Sequence, residues 1–365
     1  MRPRIGIIGA GRMGTAHAKS AHFLIKHGLV DGELVAVADP DPARRESFAR
    51  AARMPMATAS ADELIASHDV NTVYVCTPTF SHRGLALKAL AAGKALFCEK
   101  PLAFNATDAA EMSEAAKRAG VTHQVGLVLR YSAVMNVTRE LCREPSAGRV
   151  MTAVFIDDQF FPIQGHYETT WRGDVTQVGA GTLLEHAIHD MDILVSMLGP
   201  VRRVYGVTRN FAGKEGVEDL NNAILEFESG ATANHVSIWH NILHRGSSRR
   251  LTISCENAQY AWDDNDWSGP IRVDRNEDGG RDEIPSEEIV RRHMEAAGVT
   301  EAPLRDVMTP EPAGQDYLLE NYRFLQAVSE DRPAFPDFDI AVYAHRVVDA
   351  IYQSAREGRP VDVGA

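Results

Sequence analysis

The chain has 365 residues, 44% of them hydrophobic and 24% charged, which is an ordinary globular composition with enough length for two domains. Its formal net charge of -12 argues against a nucleic-acid partner, because binding phosphates requires a basic surface. No apolar run reaches the roughly 20 residues of a membrane-spanning helix, so we expect no membrane partner.

The cysteines and the N-terminus favour a reducing compartment. No Cys-x-x-Cys spacing occurs among Cys76, Cys98, Cys142 and Cys255, and we expect small buried side chains rather than disulfides. The first strand pattern begins almost at once, and no signal-peptide pattern precedes it. We therefore expect a cytoplasmic protein.

The first part of the chain alternates strand and helix patterns. Strands are predicted at Arg4–Ala10, Glu33–Ala38, Thr72–Thr77, Ala95–Cys98 and Thr122–Leu129. Helices are predicted at Arg12–His27, Pro42–Arg53, Ala61–Ser67, His82–Ala92 and Thr107–Ala119. This alternation, with near-continuously apolar strands, predicts a parallel sheet covered on both faces.

After Val128 the pattern becomes rich in strands. They are predicted at Val150–Ile156, Val201–Thr208, Asn222–Glu228, Thr232–Trp239, Arg250–Cys255 and Ala258–Trp262, with one helix at Gly181–Leu198. Consecutive strands indicate a large, mostly antiparallel open sheet in an α+β domain. The polar segment Asp263–Gly314 is predicted as surface hairpins and loops, with a lid or an oligomer contact as the alternative.

Two helices, Asp316–Ser329 and Ile340–Gly358, are predicted to close the chain. We place the domain boundary at residue 129. Residues 1–129 form a Rossmann domain and residues 130–365 an α+β catalytic or oligomerisation domain, with the option that the C-terminal helices pack back on the first domain.

The segment Gly9-Ala10-Gly11-Arg12-Met13-Gly14 carries a G-x-G-x-x-G pattern. It follows a predicted strand and opens a predicted helix, which is the context of a dinucleotide-binding fingerprint. Gly9 permits the tight turn, Gly11 lets the backbone approach the pyrophosphate, and Gly14 lets the helix pack on the strand. The helix N-terminus offers unpaired N–H groups to the phosphates.

Asp39 ends the second predicted strand, near the offset expected for a ribose-binding carboxylate. A carboxylate accepts hydrogen bonds from a 2′-hydroxyl and repels a 2′-phosphate, which favours NAD over NADP. Arg44 and Arg45 leave NADP open as the alternative, because either guanidinium could pair with a 2′-phosphate.

Four motifs in this order resemble the Gfo/Idh/MocA oxidoreductase family, the relatives of glucose–fructose oxidoreductase and inositol dehydrogenase. They are the glycine segment Gly9–Gly14; Thr77-Pro78-Thr79 with His82; Glu99-Lys100-Pro101; and the segment Gly179–Asp192, which reads GAGTLLEHAIHDMD. The resemblance spans essentially the whole chain. Glu-Lys-Pro together with the glycine-led helix is far more specific than the glycine loop.

The resemblance implies catalytic roles for Lys100, His189 and Glu185. It also implies a cofactor site made of Gly9, Gly11, Arg12, Met13, Gly14, Asp39, Thr77, Pro78, His82, Glu99, Lys100 and Pro101. Three residues depart from the commonest family pattern: Glu185 stands where aspartate is usual, Thr79 replaces asparagine, and His186 replaces an apolar residue.

These residue types suit the oxidation of an alcohol, which releases a hydride and a proton from adjacent atoms. The cofactor takes the hydride. Histidine titrates near neutrality and suits a base, whereas a lysine ammonium stabilises a developing alkoxide. We therefore expect His189 as base and Lys100 as its electrostatic partner or alternate proton carrier. Glu185, His189 and Asp192 are spaced to share one face of a helix.

Substrate contacts are predicted at Arg130, Tyr131, Trp171 and Arg172, together with Glu185 and His189. The first four have family counterparts near the substrate, and packing is the alternative role for each. His186 and Asp190 lie on a neighbouring helix face and are interpreted as structural, as are His235, His240 and His244. A zinc site from Glu185, His186, His189 and Asp190 is the less favoured alternative, so we expect no metal.

The sequence alone is compatible with three functions. The first is an NAD-dependent dehydrogenase of a sugar, cyclitol or glycoside. The second is a redox-neutral, NAD-dependent glycoside hydrolase that oxidises a hydroxyl transiently, eliminates the aglycone and reduces the intermediate again. The third is a non-catalytic NAD-binding sensor, which would not need Lys100 and His189. The resemblance also implies a homodimer or homotetramer.

Overall fold

The computed structural model describes residues 1–165, 169–244, 246–263, 269–275, 281–304 and 315–364. The chain forms two compact units. One consists of Met1–Val128 and Gly314–Val342, and the other of Leu129–Ala313 and Tyr343–Ala365. Among the described residues, no helix has the length and apolar character needed to cross a membrane.

The strands and helices of the described residues are numbered in chain order. The strands are β1 (Arg4–Ile8), β2 (Glu33–Ala38), β3 (Met56–Thr58), β4 (Thr72–Val75), β5 (Ala95–Cys98), β6 (His123–Val125), β7 (Val150–Phe160), β8 (Val201–Arg209), β9 (Leu220–Phe227), β10 (Thr232–His240), β11 (Ser248–Cys255), β12 (Ala258–Asp263), β13 (Ile271–Arg275), β14 (Arg281–Ile284) and β15 (Val361–Asp362). The helices are α1 (Arg12–Lys26), α2 (Pro42–Ala52), α3 (Ala61–Ala66), α4 (His82–Ala91), α5 (Ala106–Ala119), α6 (Ala133–Leu141), α7 (Val175–Val178), α8 (Thr182–Glu185), α9 (Ile188–Leu198), α10 (Ser286–Ala296), α11 (Gln315–Glu330) and α12 (Phe338–Glu357).

The first unit contains a parallel sheet in the order β3-β2-β1-β4-β5-β6. All four residues of β4 and of β5 are buried, as expected for strands covered on both faces. Asn105 caps the start of α5 by accepting from the Asp108 N–H, and Gly120 ends that helix in the left-handed conformation. The predicted Rossmann sheet is confirmed.

The second unit contains a mixed sheet in the order β14-β13-β12-β11-β7-β10-β9-β8-β15. Only β7 and β10 pair in parallel, and the remaining pairs are antiparallel. Burial alternates along β9 and β11, so one face of the sheet is covered and the other is open. The predicted α+β domain with a mostly antiparallel sheet is therefore confirmed.

The structure corrects the prediction of a single helix over Gly181–Leu198. Two helices, α8 and α9, stand there, and the chain leaves helical geometry at His186, where φ is -122° and ψ is -55°. The cause is a set of buried ion pairs between this stretch and strands of the sheet. Glu185 and His189 thus lie on different helices.

The polar segment after β12 is also more ordered than predicted. Its described residues include the antiparallel pair β13 and β14, which agrees with the predicted hairpins, and the helix α10, which was not predicted. Residues 264–268, 276–280 and 305–314 lie outside the described part. Sequence patterns also missed α6 and β3, the latter being only three residues long.

Candidate active site

The glycine loop of the first unit has the geometry that phosphate binding requires. Gly9 has a φ of 101°, and a Cβ there would lie 2.5 Å from the Cys76 carbonyl oxygen. A Cβ on Gly14 would lie 2.0 Å from the Gly9 carbonyl oxygen, whereas one on Gly11 would meet nothing within 4 Å. Gly9 and Gly14 are therefore fixed by close packing, and Gly11 leaves open space beside the N-terminus of α1. The loop fits a dinucleotide pyrophosphate.

Asp39 is held beside this loop by backbone donors. Its Oδ2 accepts from the Ala10 N–H at 2.8 Å, and its Oδ1 accepts from the Asp41 N–H at 2.9 Å. The two arginines that left NADP open are engaged locally. Arg45 donates to the Asp39 carbonyl at 2.8 Å, and Arg44 pairs with Asp41 at 3.2 Å. This arrangement fits the ribose of NAD.

The Glu99-Lys100-Pro101 segment follows β5 at the carboxyl edge of the parallel sheet, where ligands of such sheets bind. Glu99 is 6% exposed. Its Oε1 lies 2.8 Å from His17 Nε2, and its Oε2 accepts from the Lys100 N–H at 3.1 Å. Burial raises the pKa of Glu99, but the hydrogen bond from His17 and the charges of His17 and Lys100 outweigh it and hold that pKa below its ordinary value.

His82 contacts two loops of the predicted cofactor site. Its Nδ1 lies 2.8 Å from the Pro101 carbonyl oxygen and its Nε2 lies 2.8 Å from the Thr77 carbonyl oxygen. The ring is 1% exposed, and Thr79 in the intervening turn is also buried. His82 thus ties the two loops together through backbone carbonyls.

Trp171, Arg172 and Glu185 come together in the second unit. The Arg172 guanidinium carbon lies 4.5 Å from the centre of the Trp171 ring, and Arg172 Nε lies 3.3 Å from Glu185 Oε2. Arg172 Nη1 also donates to Thr169 Oγ1 at 3.0 Å. Glu185 is 1% exposed and Arg172 19% at its side chain. A partly exposed guanidinium on an aromatic face suits an anionic or hydroxyl-rich ligand.

The other predicted substrate contacts of the second unit are Arg130, Tyr131 and His189. Arg130 binds Asp192 through two hydrogen bonds, so Asp192 does not form a cluster with Glu185 as the helix spacing suggested. Tyr131 is buried in the turn that follows β6. His189 lies in the first turn of α9 and is 6% exposed.

His186 and Asp190 belong to a buried network with three strands. His186 pairs with Asp157, and Arg249 Nη2 lies 3.1 Å from His186 Nε2. Arg249 Nε lies 3.2 Å from Asp190 Oδ1, and His235 Nε2 lies 3.1 Å from Asp190 Oδ2. Burial raises the pKa of Asp157, yet the charges of Arg249 and His186 hold it well below its ordinary value. These contacts account for the structural role expected of both residues.

Sequence reasoning missed two residues that organise these sites. His17 is one, and it lies three positions after Gly14 on α1. The other is Glu218, which accepts from the Gly181 N–H at 2.7 Å and the Leu183 N–H at 3.0 Å, and so caps α8. Tyr352 donates to Glu218 Oε1 at 2.8 Å. Both residues act through partners that are distant in the chain, so neither carries a local sequence signal.

The fold and the dinucleotide site define an NAD-binding oxidoreductase with a Rossmann domain and a second α/β domain. Residues 3–127 match the domain described as "Oxidoreductase family, NAD-binding Rossmann fold", and residues 150–363 match "Oxidoreductase family, C-terminal alpha/beta domain". The chain belongs to this family, GFO_IDH_MocA, and its first domain is the family's NAD-binding Rossmann domain.

Named relatives include sugar and cyclitol enzymes. The chain is 34% identical over 206 residues to 1,5-anhydro-D-fructose reductase of Ensifer adhaerens, a match that covers 55% of this chain and 60% of that enzyme. It is 27% identical to inositol 2-dehydrogenase of Rhizobium meliloti over the full length of both chains. A solved levoglucosan dehydrogenase in complex with NADH has the same fold, with a TM-score of 0.86, 21% identity and full coverage of both chains.

Proposed function

We propose that this protein transfers a hydride between a CH–OH carbon of a sugar, cyclitol or glycoside and the nicotinamide of NAD. The observation that carries the proposal is the buried Glu99 carboxylate, which fixes the Lys100 backbone at the carboxyl edge of the dinucleotide-binding sheet. Bound NAD supplies the hydride-accepting chemistry. The chain's own residues must handle the proton.

The proton balance assigns roles to Lys100, His189 and Glu185. When the carbon loses its hydride, the substrate hydroxyl loses its proton to His189 as base, and the Lys100 ammonium stabilises the negative charge that develops on oxygen. In the reverse direction, the same groups return the proton to the carbonyl oxygen. Glu185 accepts a hydrogen bond from a substrate hydroxyl or neutralises the charge of Arg172.

The substrate class follows from the chemistry of Trp171, Arg172 and Glu185. A guanidinium stacked on an indole and paired with a carboxylate presents both donors and acceptors beside an aromatic face. Polyhydroxylated rings offer hydroxyl groups to such a site and C–H faces to the indole. The names of the relatives, which include reductases and dehydrogenases of sugars and inositol, support the same class.

A panel assay tests this proposal. The protein is incubated with NAD and, separately, with myo-inositol, levoglucosan, other polyols, sugar acids and aryl glycosides, while reduced cofactor and released aglycone are both measured. Net cofactor reduction on a polyhydroxylated substrate is the expected result. Aglycone release without net cofactor reduction would instead support the redox-neutral hydrolase. Neither cofactor reduction nor aglycone release on any substrate would support the non-catalytic sensor.

We further propose that the open sheet face pairs with a second copy of the chain. Tyr205, Ile224, Asn234 and Val154 lie side by side across β8, β9, β10 and β7 on that face. The three apolar side chains are 39%, 48% and 40% exposed, in the order Tyr205, Ile224 and Val154. Three exposed apolar side chains among these four neighbours make a mostly apolar row, which is typical of an interface. A homodimer or homotetramer is the expected assembly.

A further inference from the structure

Two buried histidines hold the Glu99-Lys100-Pro101 segment at its two ends. His82 lies against the Pro101 carbonyl, as described above. At the other end, His17 Nε2 lies 2.8 Å from Glu99 Oε1, while Glu99 Oε2 accepts from the Lys100 N–H. His17 is 0% exposed, so this contact lies within the core of the first unit.

The His17 ring is itself fixed on its other side. Its Nδ1 lies 2.9 Å from Asn321 Nδ2, and the same amide nitrogen donates to the Tyr317 carbonyl at 2.7 Å. The ring also packs against Phe97, with 4.7 Å between ring centres. Asn321 Oδ1 also lies 3.1 Å from His17 Nδ1. Because an ionised carboxylate can only accept, the Nε2–H of His17 is the group that donates to Glu99.

This donor strengthens the hold of Glu99 on Lys100. A carboxylate accepts hydrogen bonds more strongly than a neutral acid does, and the contact with His17 favours the ionised form of Glu99. The carboxylate occupies the space beside Gly126, where an added Cβ would lie only 3.0 Å from its Oε2. The position of the Lys100 backbone therefore depends on a side chain from α1.

We propose that His17 is a positioning residue for Lys100, which it fixes through the Glu99 carboxylate without touching substrate. This role rests on the proposed function, since it matters for turnover only if Lys100 acts in the reaction. It also links the glycine-loop helix α1 to the catalytic turn after β5. Packing alone would require a side chain of the right volume at residue 17 and no donor.

Three variants separate positioning from packing. His17→Leu keeps a side chain of similar volume and removes the donor. His17→Gln restores an N–H near the place of Nε2. Phe324→Leu is the matched control, since Phe324 is fully buried and packs edge-on against Tyr74 and Phe97 at 5.4 Å, on rings that His17 also contacts.

The direct readout is hydrogen exchange of the Lys100 amide in the NAD-loaded protein, resolved by mass spectrometry. Its rate is compared with that of the Leu96 amide, which donates to the Thr122 carbonyl on the neighbouring chain segment. In His17→Leu the carboxylate of Glu99 loses its hydrogen bond from residue 17 and holds the Lys100 N–H less firmly. We expect Lys100 exchange to accelerate relative to Leu96 by about tenfold or more. His17→Gln and Phe324→Leu should leave that ratio within about threefold of the parent.

The second readout is kcat on whichever substrate the panel identifies, with the Kd for NAD measured alongside. We expect His17→Leu to lower kcat by about tenfold, His17→Gln to restore it, and neither to change the Kd for NAD by more than about threefold. An unchanged exchange ratio in His17→Leu, or an equal rise in Phe324→Leu, overturns the positioning role. Unchanged turnover in Lys100→Ala instead overturns the proposed function, whatever the exchange data show.

Discussion

Arg130 and Asp192 form a bidentate ion pair in which both nitrogen–oxygen distances are 2.6 Å. The Arg130 side chain is 10% exposed and the Asp192 side chain 2% exposed. Removing one partner of such a pair leaves a buried charge without compensation. We expect Asp192→Ala to lower the free energy of unfolding by about 3 kcal/mol, measured by urea denaturation.

The double variant Arg130→Met with Asp192→Leu is the control for that experiment. It removes both charges and should recover much of the loss, because a well-packed apolar pair often replaces a buried ion pair without penalty. A loss below about 0.5 kcal/mol in Asp192→Ala would show that the pair is not structural, and Arg130 would then return as a substrate contact.

Asp39 should govern affinity and choice of dinucleotide. In Asp39→Asn the charge is lost, and the amide NH2 must face one of the two backbone N–H groups that the carboxylate now accepts from. We expect the Kd for NAD to rise by about tenfold or more, and the preference for NAD over NADP to fall. Titration of NADH and NADPH fluorescence measures both. Asp41→Asn is the control, and an equal effect in both variants would contradict the role of Asp39.

The buried carboxyl of Glu320 on α11 should make the free energy of unfolding depend on pH. The side chain is 0% exposed, and burial, with repulsion from Glu99 and Asp316, raises its pKa well above the ordinary value of 4.5. Below the pKa of Glu320 in the unfolded chain, the carboxyl is neutral in both states and stability is fully present. As the pH rises through the higher pKa of the folded state, that stability is lost, because the unfolded chain ionises more readily. Glu320→Gln mimics the neutral acid, so its stability advantage over the parent should grow as the pH rises above about 5.

Thermal or urea unfolding at several pH values measures that difference. Glu330→Gln, at the exposed end of the same helix, controls for the removal of one acidic residue. If the difference between Glu320→Gln and the parent stays constant across the pH range, Glu320 does not titrate in the folded protein as described.

Arg172 should act on substrate and not on cofactor. Arg172→Met keeps an unbranched apolar side chain but loses the guanidinium, and with it the charge, the stacking on Trp171 and the contact with Glu185. We expect KM for the sugar or polyol to rise by about tenfold, with the Kd for NAD unchanged. Lys214→Met is a suitable control, because Lys214 lies near Gly173 in the same region. Equal KM values for parent and Arg172→Met would remove Arg172 from the substrate site.

The open sheet face should control assembly. Ile224→Lys places a charge in the middle of the exposed apolar row and should dissociate the oligomer, which light scattering coupled to size exclusion detects. Glu228→Gln, in the turn beyond β9, changes the net charge by the same amount and is the control outside that row. A parent protein that elutes as a monomer at micromolar concentration would contradict the proposed pairing.

Local sequence signals were sufficient for most of the first unit, with the short strand β3 as an exception. The predicted bounds of β2 and β5 agree with the structure because these strands are short apolar runs buried on both faces. The dinucleotide fingerprint was similarly readable, since the steric demands at Gly9 and Gly14 arise from neighbours that any strand–turn–helix of this type supplies.

The site in the second unit was less readable because distant residues shape it. The break between α8 and α9 follows from His186 pairing with Asp157, 29 residues away, and with Arg249, 63 residues away. Helical spacing carries no information about such partners, so the prediction that one helix carries Glu185, His189 and Asp192 was wrong. The partnership of Arg130 with Asp192, 62 residues apart, escaped prediction for the same reason.

The central claim is that Lys100 handles charge and proton in a reaction that NAD makes possible. The most direct test compares kcat and the Kd for NAD in the parent and in Lys100→Ala, on the substrate that the panel identifies. The account predicts a fall in kcat of about 100-fold or more with the Kd for NAD changed by less than about threefold. Turnover equal to that of the parent would contradict it.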